Sequence, residues 1–312
     1  MYDFHGIARC GMNLRQIETF YWAAKLGSFS AAAERMNATQ STVSMRIQEI
    51  ERDFGVALFD RTQRTVRLTP KGRDLLRYAE EILRVSAEMR LRIADESATQ
   101  GVVRVGVVEM ISVTWLPRLV KAVHDHYPKI SLELDEALTL DLVNRLNNGT
   151  LDLILIPGRV SGYNTAPISL GSVKFSWMAS PKLSLPKKVL KPRDLQNIPI
   201  IGLSRESYHY KSIEDWFHAG EANFRRIDTC KSLGVAASLA AAGLGITLLP
   251  QRFYAREIKE KKLRVIETEP KFDPAEFTAT TSTDGIHPVA RKIAALAAEV
   301  SNFEKPAARK AS

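Results

Sequence analysis

Only two cysteines, Cys10 and Cys230, occur in 312 residues, too few for a disulfide framework and in keeping with a reducing compartment. No apolar run approaches the roughly 20 residues of a membrane span, and no basic-then-apolar leader precedes a cleavage site. Glycine (17) and proline (14) stay near average usage, which excludes a collagenous or low-complexity chain. No internal repeat recurs at a fixed period. Catalytic signatures are missing as well. Ser204 lies in GLSRES, where Glu206 takes the place of the second glycine of a nucleophile elbow, and GVVEMIS around Glu109 has no phosphate-loop lysine. His124 and His126 sit near a helix end with no Cys or third His close in sequence. The expectation is a cytoplasmic protein that is not an enzyme, with no membrane partner, no metal site and no cofactor.

What is present is an ordinary globular mixture, 45% apolar and 25% charged, with a net charge of +9. That excess permits a polyanionic partner without requiring one. Residues 1–98 carry 15 basic against 13 acidic side chains, so local clustering matters more than the total. One cluster stands out. Arg61, Arg64, Arg67, Lys71 and Arg73 follow one another with no acid between Arg61 and Arg73. A structural hairpin more often alternates signs across its strands, so unopposed cations point to a phosphate backbone.

Upstream of that cluster, Leu14, Ile17, Phe20, Tyr21 and Ala24 make a helical face ended by Gly27. A short second helix with Ser30 as its cap and small residues at Ala32 and Ala33 ends near Asn37. Thr39 then caps a third helix with Val43, Ile47, Ile50 and Phe54 as its buried stripe. Two helices joined by a tight turn, the first with small residues at the crossing, predict a helix-turn-helix. The other face of the third helix offers Thr39, Gln40, Ser41, Thr42, Ser44, Met45 and Arg46, mostly groups that donate to phosphates or base edges. Residues 57–72 read as a two-stranded wing. From Pro70 a long helix carries Leu75, Ala79, Ile82, Ser86, Met89 and Ile93 alternately four and three apart, a coiled-coil seam for dimerisation.

Beyond residue 100 the period changes. VVRVGVV, ISLELD and LDLILI alternate with helices that begin near Pro117 and Thr139, which implies right-handed crossovers and a parallel sheet. IPIIGL, YKSIEDWFHA, a strand near 226–229, a helix over 232–242, GLGITLLP, FTATTS and a helix over 288–303 continue the α/β pattern.

Taken together, NLRQIETFYWAAKLGSFSAAAERMNATQSTVSMRIQEIE, LFDRTQRTVRLTPKG, VRVGVVEMISVTWLP, LDLILIPG and SLGVAASLAAAGLGITLLP resemble the LysR-type transcriptional regulators from Met12 to about Glu304. The resemblance implies an α/β fold class: an N-terminal winged helix-turn-helix, a long linker helix, and a two-lobed effector domain like a periplasmic binding protein. The implied divisions are a loose extension over 1–12, a DNA-binding domain over 13–70, a dimerising linker helix over 71–98, an effector domain over 99–305 and a tail over 306–312. Lobe one is expected over about 99–163 and 270–305, lobe two over about 164–269. The implied partners are double-stranded DNA, further copies of the chain as homodimer or homotetramer, a small-molecule effector and RNA polymerase.

By the same resemblance Gln40, Ser44 and Arg61 fall at DNA-contacting positions. Met45 stands where many members carry arginine, and Gln63 where a wing glycine is common. The family's cleft maps onto Glu109, Met110, Thr139, Ser204, Arg205, Thr229 and Lys231, with Met110 in place of a frequent Ser or Thr. Helix N-termini at Thr139 and Ser232, with Arg205 or Lys231, favour an anionic or zwitterionic effector, while Glu109 opposes one. Two other classes compete with this reading. A solute-binding module without DNA activity does not account for the wing cations, and an enzyme on the α/β lobes lacks a nucleophile, metal or cofactor signature.

Overall fold

The structure, a computed structural model, describes residues 11–60, 66–93, 100–160, 167–225, 227–281 and 288–305. Helix α1 (Leu14–Leu26) begins at a reciprocal cap between Asn13 and Gln16 and ends at Gly27, whose φ of 60° suits a residue without Cβ. Helix α2 (Phe29–Arg35) is capped by Ser28 rather than Ser30: the Ser28 hydroxyl accepts from the Ala31 amide, and Ser30 already lies inside the first turn. Asn37, at φ 49°, turns the chain into α3 (Gln40–Phe54), and Thr39 caps it by accepting from Thr42 N.

Val43, Ile47 and Ile50 are fully buried against Phe20, Tyr21 and Ala32, each worth about 1.5–3 kcal/mol of burial. Phe54 is 45% exposed, because it is the last residue of α3 and Gly55 leads the chain away from the core. Strands β1 (Phe59–Asp60) and β2 (Arg67–Leu68) pair antiparallel as the wing's base. Helix α4 (Pro70–Ile93) packs directly beneath it: a Cβ on Gly72 would stand 2.2 Å from the Leu58 carbonyl oxygen, so only glycine fits there.

The expected seam of α4 divides in two. Ala79 is fully buried in the core of its own helix-turn-helix with Leu83, and half-buried Leu75 packs on that core. The outward stripe instead runs Tyr78, Ile82, Val85 and Met89, between 40% and 64% exposed and spaced four, three and four apart. Ile82 and Met89 belong to it; Leu75 and Ala79 do not, since α1 covers them. The side chain of Ile93 lies outside the described residues.

The effector half comprises two five-stranded sheets. Lobe one contains β3 (Gly101–Val107), α5 (Glu109–Ser112), α6 (Leu116–His126), β4 (Ile130–Glu136), α7 (Thr139–Asn147), β5 (Leu153–Pro157) and β6 (Ile168–Val173). Lobe two contains β7 (Phe175–Ala179), α8 (Pro192–Leu195), β8 (Ile200–Leu203), α9 (Tyr208–Ala219), β9 (Ile227–Cys230), α10 (Leu233–Ala241), β10 (Ile246–Pro250), α11 (Ala255–Lys259) and β11 (Arg264–Val265). The chain returns to lobe one with β12 (Ala275–Thr281) and α12 (Pro288–Val300).

Strand order is β4-β3-β5-β12-β6 in one sheet and β11-β7-β10-β8-β9 in the other. As the alternating pattern predicts, β3 runs parallel to β4 and β5, and β8 runs parallel to β9 and β10. Strands β5 and β10 are buried along their whole length, hence the unbroken apolar sequence of β5 and the apolar run of β10, interrupted only by buried Thr247. The lobe boundary departs from expectation. Strand β6 pairs antiparallel with β12 and so belongs to lobe one, and the chain crosses at Lys174, about ten residues later than residue 164. Sequence period alone does not reveal which sheet a strand joins.

Candidate functional site

The DNA-reading face is the solvent side of α3. Gln40, Ser41 and Met45 are exposed, Met45 at 53%, and Thr42 and Ser44 are half-buried. The hydroxyls of Thr39, Ser41 and Thr42 form a small network, with Thr39 Oγ1 2.8 Å from each of the other two. It sits on the positive end of the helix dipole, a ready contact for a phosphate oxygen. Arg46 is turned away: it is half-buried and Nη1 donates to Thr19 Oγ1 at 3.3 Å. It ties α3 to α1 more than it reaches outward. Arg67 is exposed on β2, and Arg73 is exposed while donating to the Leu68 carbonyl. Arg61 and Arg64 lie outside the described residues.

The second site is a cavity of about 490 Å³ between the lobes. Val108, Leu138, Pro157, Phe175, Leu203, Leu248 and Phe277 make it largely apolar. Glu109, Met110, Thr139 and Lys231 line it as expected. Ser204, Arg205 and Thr229 do not. Ser204 Oγ donates to the Cys230 carbonyl, Arg205 is exposed with its guanidinium 5.5 Å from the Tyr210 ring, and Thr229 is exposed on the edge strand β9. These three follow the strand ends of lobe two, but the cavity opens further toward α9. There Ser207, Tyr208, His209 and Ser212 supply the wall. Their only signal in sequence is a polar and aromatic helix start, YHYKS.

Glu109 does more than line the wall. From lobe one its carboxylate accepts from Ser232 Oγ (2.6 Å), Leu233 N (2.5 Å) and Gly234 N (3.3 Å), filling the N-terminus of α10 in lobe two. The place expected for an effector carboxylate is thus occupied by the protein's own. Two further bonds join the lobes, from Leu140 N to the Glu206 carbonyl at 2.9 Å and from Tyr208 N to Thr139 Oγ1 at 3.4 Å. At the cavity edge stand Glu136, Asp141, Glu206 and Asp273, all exposed, against one lysine, Lys231.

His209 is buried and in effect neutral. Burial pushes its pKa down to about 4, opposed by its contact with the Leu248 carbonyl at 2.6 Å, while Nδ1 accepts from Leu203 N at 3.4 Å. Tyr254 is held well above the ordinary phenol range, first by burial and then by the nearby charge of Glu109. Cys230 is half-buried and its thiol donates to the Ser232 carbonyl at 3.2 Å, the environment of a core thiol. Among the described residues, no group of three or more His, Cys, Asp or Glu is arranged to hold a metal ion.

A winged helix-turn-helix joined by a long helix to a two-lobed α/β domain with an interlobe cavity defines a one-component regulator: one chain that reads DNA and binds a small molecule. The family models agree in both halves. "Bacterial regulatory helix-turn-helix protein, lysR family" matches residues 14–73, and "LysR substrate binding domain" matches residues 96–302. The chain belongs to the LysR family of DNA-binding transcriptional regulators with an effector-binding domain.

Among its relatives is the HTH-type transcriptional regulator CzcR of Bacillus subtilis (strain 168), 26% identical over 240 residues, covering 77% of this chain and 81% of that one. A full-length OxyR point variant from Pseudomonas aeruginosa shares the fold at a TM-score of 0.69, with 21% identity over 96% of this chain and 99% of that one. LysG from Corynebacterium glutamicum, solved with bound effector Arg, superposes at a TM-score of 0.60 with 19% identity, covering 95% of this chain and 100% of that one. Among the described residues no helix is long and apolar enough to cross a membrane.

Proposed function

We propose that the protein is a cytoplasmic, non-enzymatic regulator that binds an interrupted palindrome as a homodimer or dimer of dimers, responds to a zwitterionic small molecule, and acts on transcription through RNA polymerase. Dimerisation uses the Tyr78, Ile82, Val85 and Met89 stripe, whose heptad spacing and exposure support a helix-to-helix seam. Gln40, Ser44 and Met45 read bases, and the Thr39 to Thr42 hydroxyls with Arg61, Arg64 and Arg67 hold the phosphate backbone.

The single observation that carries the effector reading is the charge around the interlobe cavity. Four exposed acids ring it against Lys231, and Glu109 already fills the α10 N-terminus. A purely anionic ligand meets repulsion there. A zwitterion instead places its cationic group among the acids and its carboxylate on Lys231 or on the α10 N-terminus in place of Glu109. No cofactor or metal enters this reading.

The test is calorimetry with matched triplets: an amino acid, the amine lacking its carboxylate and the acid lacking its amine. Preference for the amino acid supports the proposal; tightest binding by the acid removes the role assigned to the acidic ring. Genome-wide immunoprecipitation of the tagged protein tests the DNA half without any guess about the effector. Enrichment at a few interrupted palindromes is the expected result.

A further inference from the structure

The helix-turn-helix is attached to the rest of the chain twice: once through α4 and once by a buried side-chain contact with lobe one. Arg35, the last residue of α2, reaches across to lobe one, where its Nη2 pairs with Asp152 Oδ1. Its guanidinium lies 4.3 Å from the Trp22 ring centroid on α1. The Arg35 and Asp152 side chains are 5% and 2% exposed, a degree of burial unusual for an ion pair. Asp152 is fixed in turn by β3: its Oδ2 accepts from Arg104 N at 2.8 Å, and its own N donates to the Arg104 carbonyl at 2.9 Å.

The backbone of lobe one is shaped for the visitor. Gly149 has φ +75°, and a Cβ built on it would stand 2.8 Å from Trp22 Cζ3. Both the left-handed conformation and the closeness of the indole therefore require glycine there. Trp22 itself is only 4% exposed. An indole and a guanidinium from one domain thus meet a glycine turn and a pre-oriented carboxylate in the other. Gln40 and Met45 on α3 stay exposed in this docked arrangement.

We propose that the helix-turn-helix docks through Trp22 and Arg35 onto Gly149 and Asp152 of lobe one in its own chain, so that lobe one and the DNA-binding domain move as one body. The α4 junction is already packed, since Ala79 and Leu83 lie in the helix-turn-helix core, and the anchor adds a second, buried contact made directly to lobe one. The anchor also connects to the cavity: Arg104 lies on β3, and two residues beyond the end of that strand comes Glu109, which holds the lobes together. The docking follows from these contacts and does not rest on the regulator reading above.

Hydrogen exchange on the full-length protein tests docking without an operator, so its failure is distinct from failure of the regulator reading. Arg35→Ala changes a residue of the DNA-binding domain, yet the expected result is a loss of protection at amides 145–152 in lobe one, on the order of tenfold or more. Arg35→Lys, which keeps the charge but not the planar stack, should fall between. From the other side, Gly149→Ala should deprotect residues 18–36. If Arg35→Ala leaves 145–152 as in the wild type while the protein stays folded, the docking is refuted.

Mixed dimers assign the contact to one chain or two. A heterodimer of Arg35→Ala and Asp152→Ala chains keeps no intact pair if the contact lies within one chain, so it should stay as deprotected as the single variants, whereas a contact between chains would leave one pair intact. Rescue in the mixed dimer overturns the assignment within one chain.

Discussion

Replacing Glu109 by alanine removes a single carboxylate but three bonds between the lobes, those from Ser232 Oγ, Leu233 N and Gly234 N. A hydrogen bond to a charged group contributes about 1.5–3 kcal/mol net, and an anion at a helix N-terminus roughly a further 0.3–1 kcal/mol. Three bonds to one half-buried carboxylate do not add in full, so about 2–4 kcal/mol is the expected loss for the closed arrangement. At 1.4 kcal/mol per factor of ten, the closing equilibrium shifts by roughly 30-fold to several hundredfold toward open. Glu109→Gln keeps one acceptor oxygen, for Ser232 Oγ and Gly234 N, but loses the charge and the bond from Leu233 N, so it should lose part of that amount, about 1–2 kcal/mol.

Spin labels at exposed Lys129 in lobe one and Glu221 in lobe two report the interlobe distance directly. The expected order of closed population is wild type, then Glu109→Gln, then Glu109→Ala. Ligand affinity supplies a second sign. A ligand whose carboxylate takes the α10 N-terminus binds Glu109→Ala more tightly, because its internal competitor is gone, whereas one that pairs with Lys231 gains nothing. Identical distance distributions for wild type and Glu109→Ala, with and without a zwitterionic ligand, would falsify the assignment of Glu109 as an interlobe tie.

Three further outcomes are expected. His209 titrates at about 4 when folded against roughly 6.5 unfolded, so its contribution to stability is complete above pH 6.5 and is lost as pH falls from there toward 4, by about 3 kcal/mol; melting curves across that window should flatten by about one proton in His209→Gln, and an unchanged slope contradicts a buried neutral imidazole. Val85→Glu places a charge on the exposed stripe of α4 without touching the buried Ala79 and Leu83, and sedimentation should show the dimer weakened while melting stays near wild type. Gln40→Ala should cost about 1–3 kcal/mol on the specific operator and almost nothing on random DNA, measured by titration at fixed salt; equal losses on both would make Gln40 a phosphate contact instead.

Much of this architecture is legible in the sequence because local rules and the final packing agree. Gly27, Asn37 and Thr39 punctuate α1 to α3 as their chemistry dictates, and the buried strand β5 announces itself by an unbroken apolar run. The exceptions fall where a long-range partner decides the outcome. Period alone draws the α4 seam through Ala79, but α1 claims Ala79 and Leu83, which rotates the free stripe onto Tyr78 and Val85. Strand β6 reads as a start of lobe two until its pairing with β12 is seen. In the cleft, Glu109, Met110, Thr139 and Lys231 are reachable from strand and helix ends, whereas Phe175, His209, Leu248 and Phe277 come from four separate strands and helices. No spacing rule links them, because their meeting place is made by the packing of one lobe on the other.

The bond from Leu140 N to the Glu206 carbonyl closes the cleft with main-chain atoms only. Any residue except proline at position 140 keeps that donor, and every residue at 206 keeps that acceptor. The side chains around the cavity are thus free to diverge toward new ligands while this closing contact persists, so a lineage can change what it senses without first reinventing how the lobes meet.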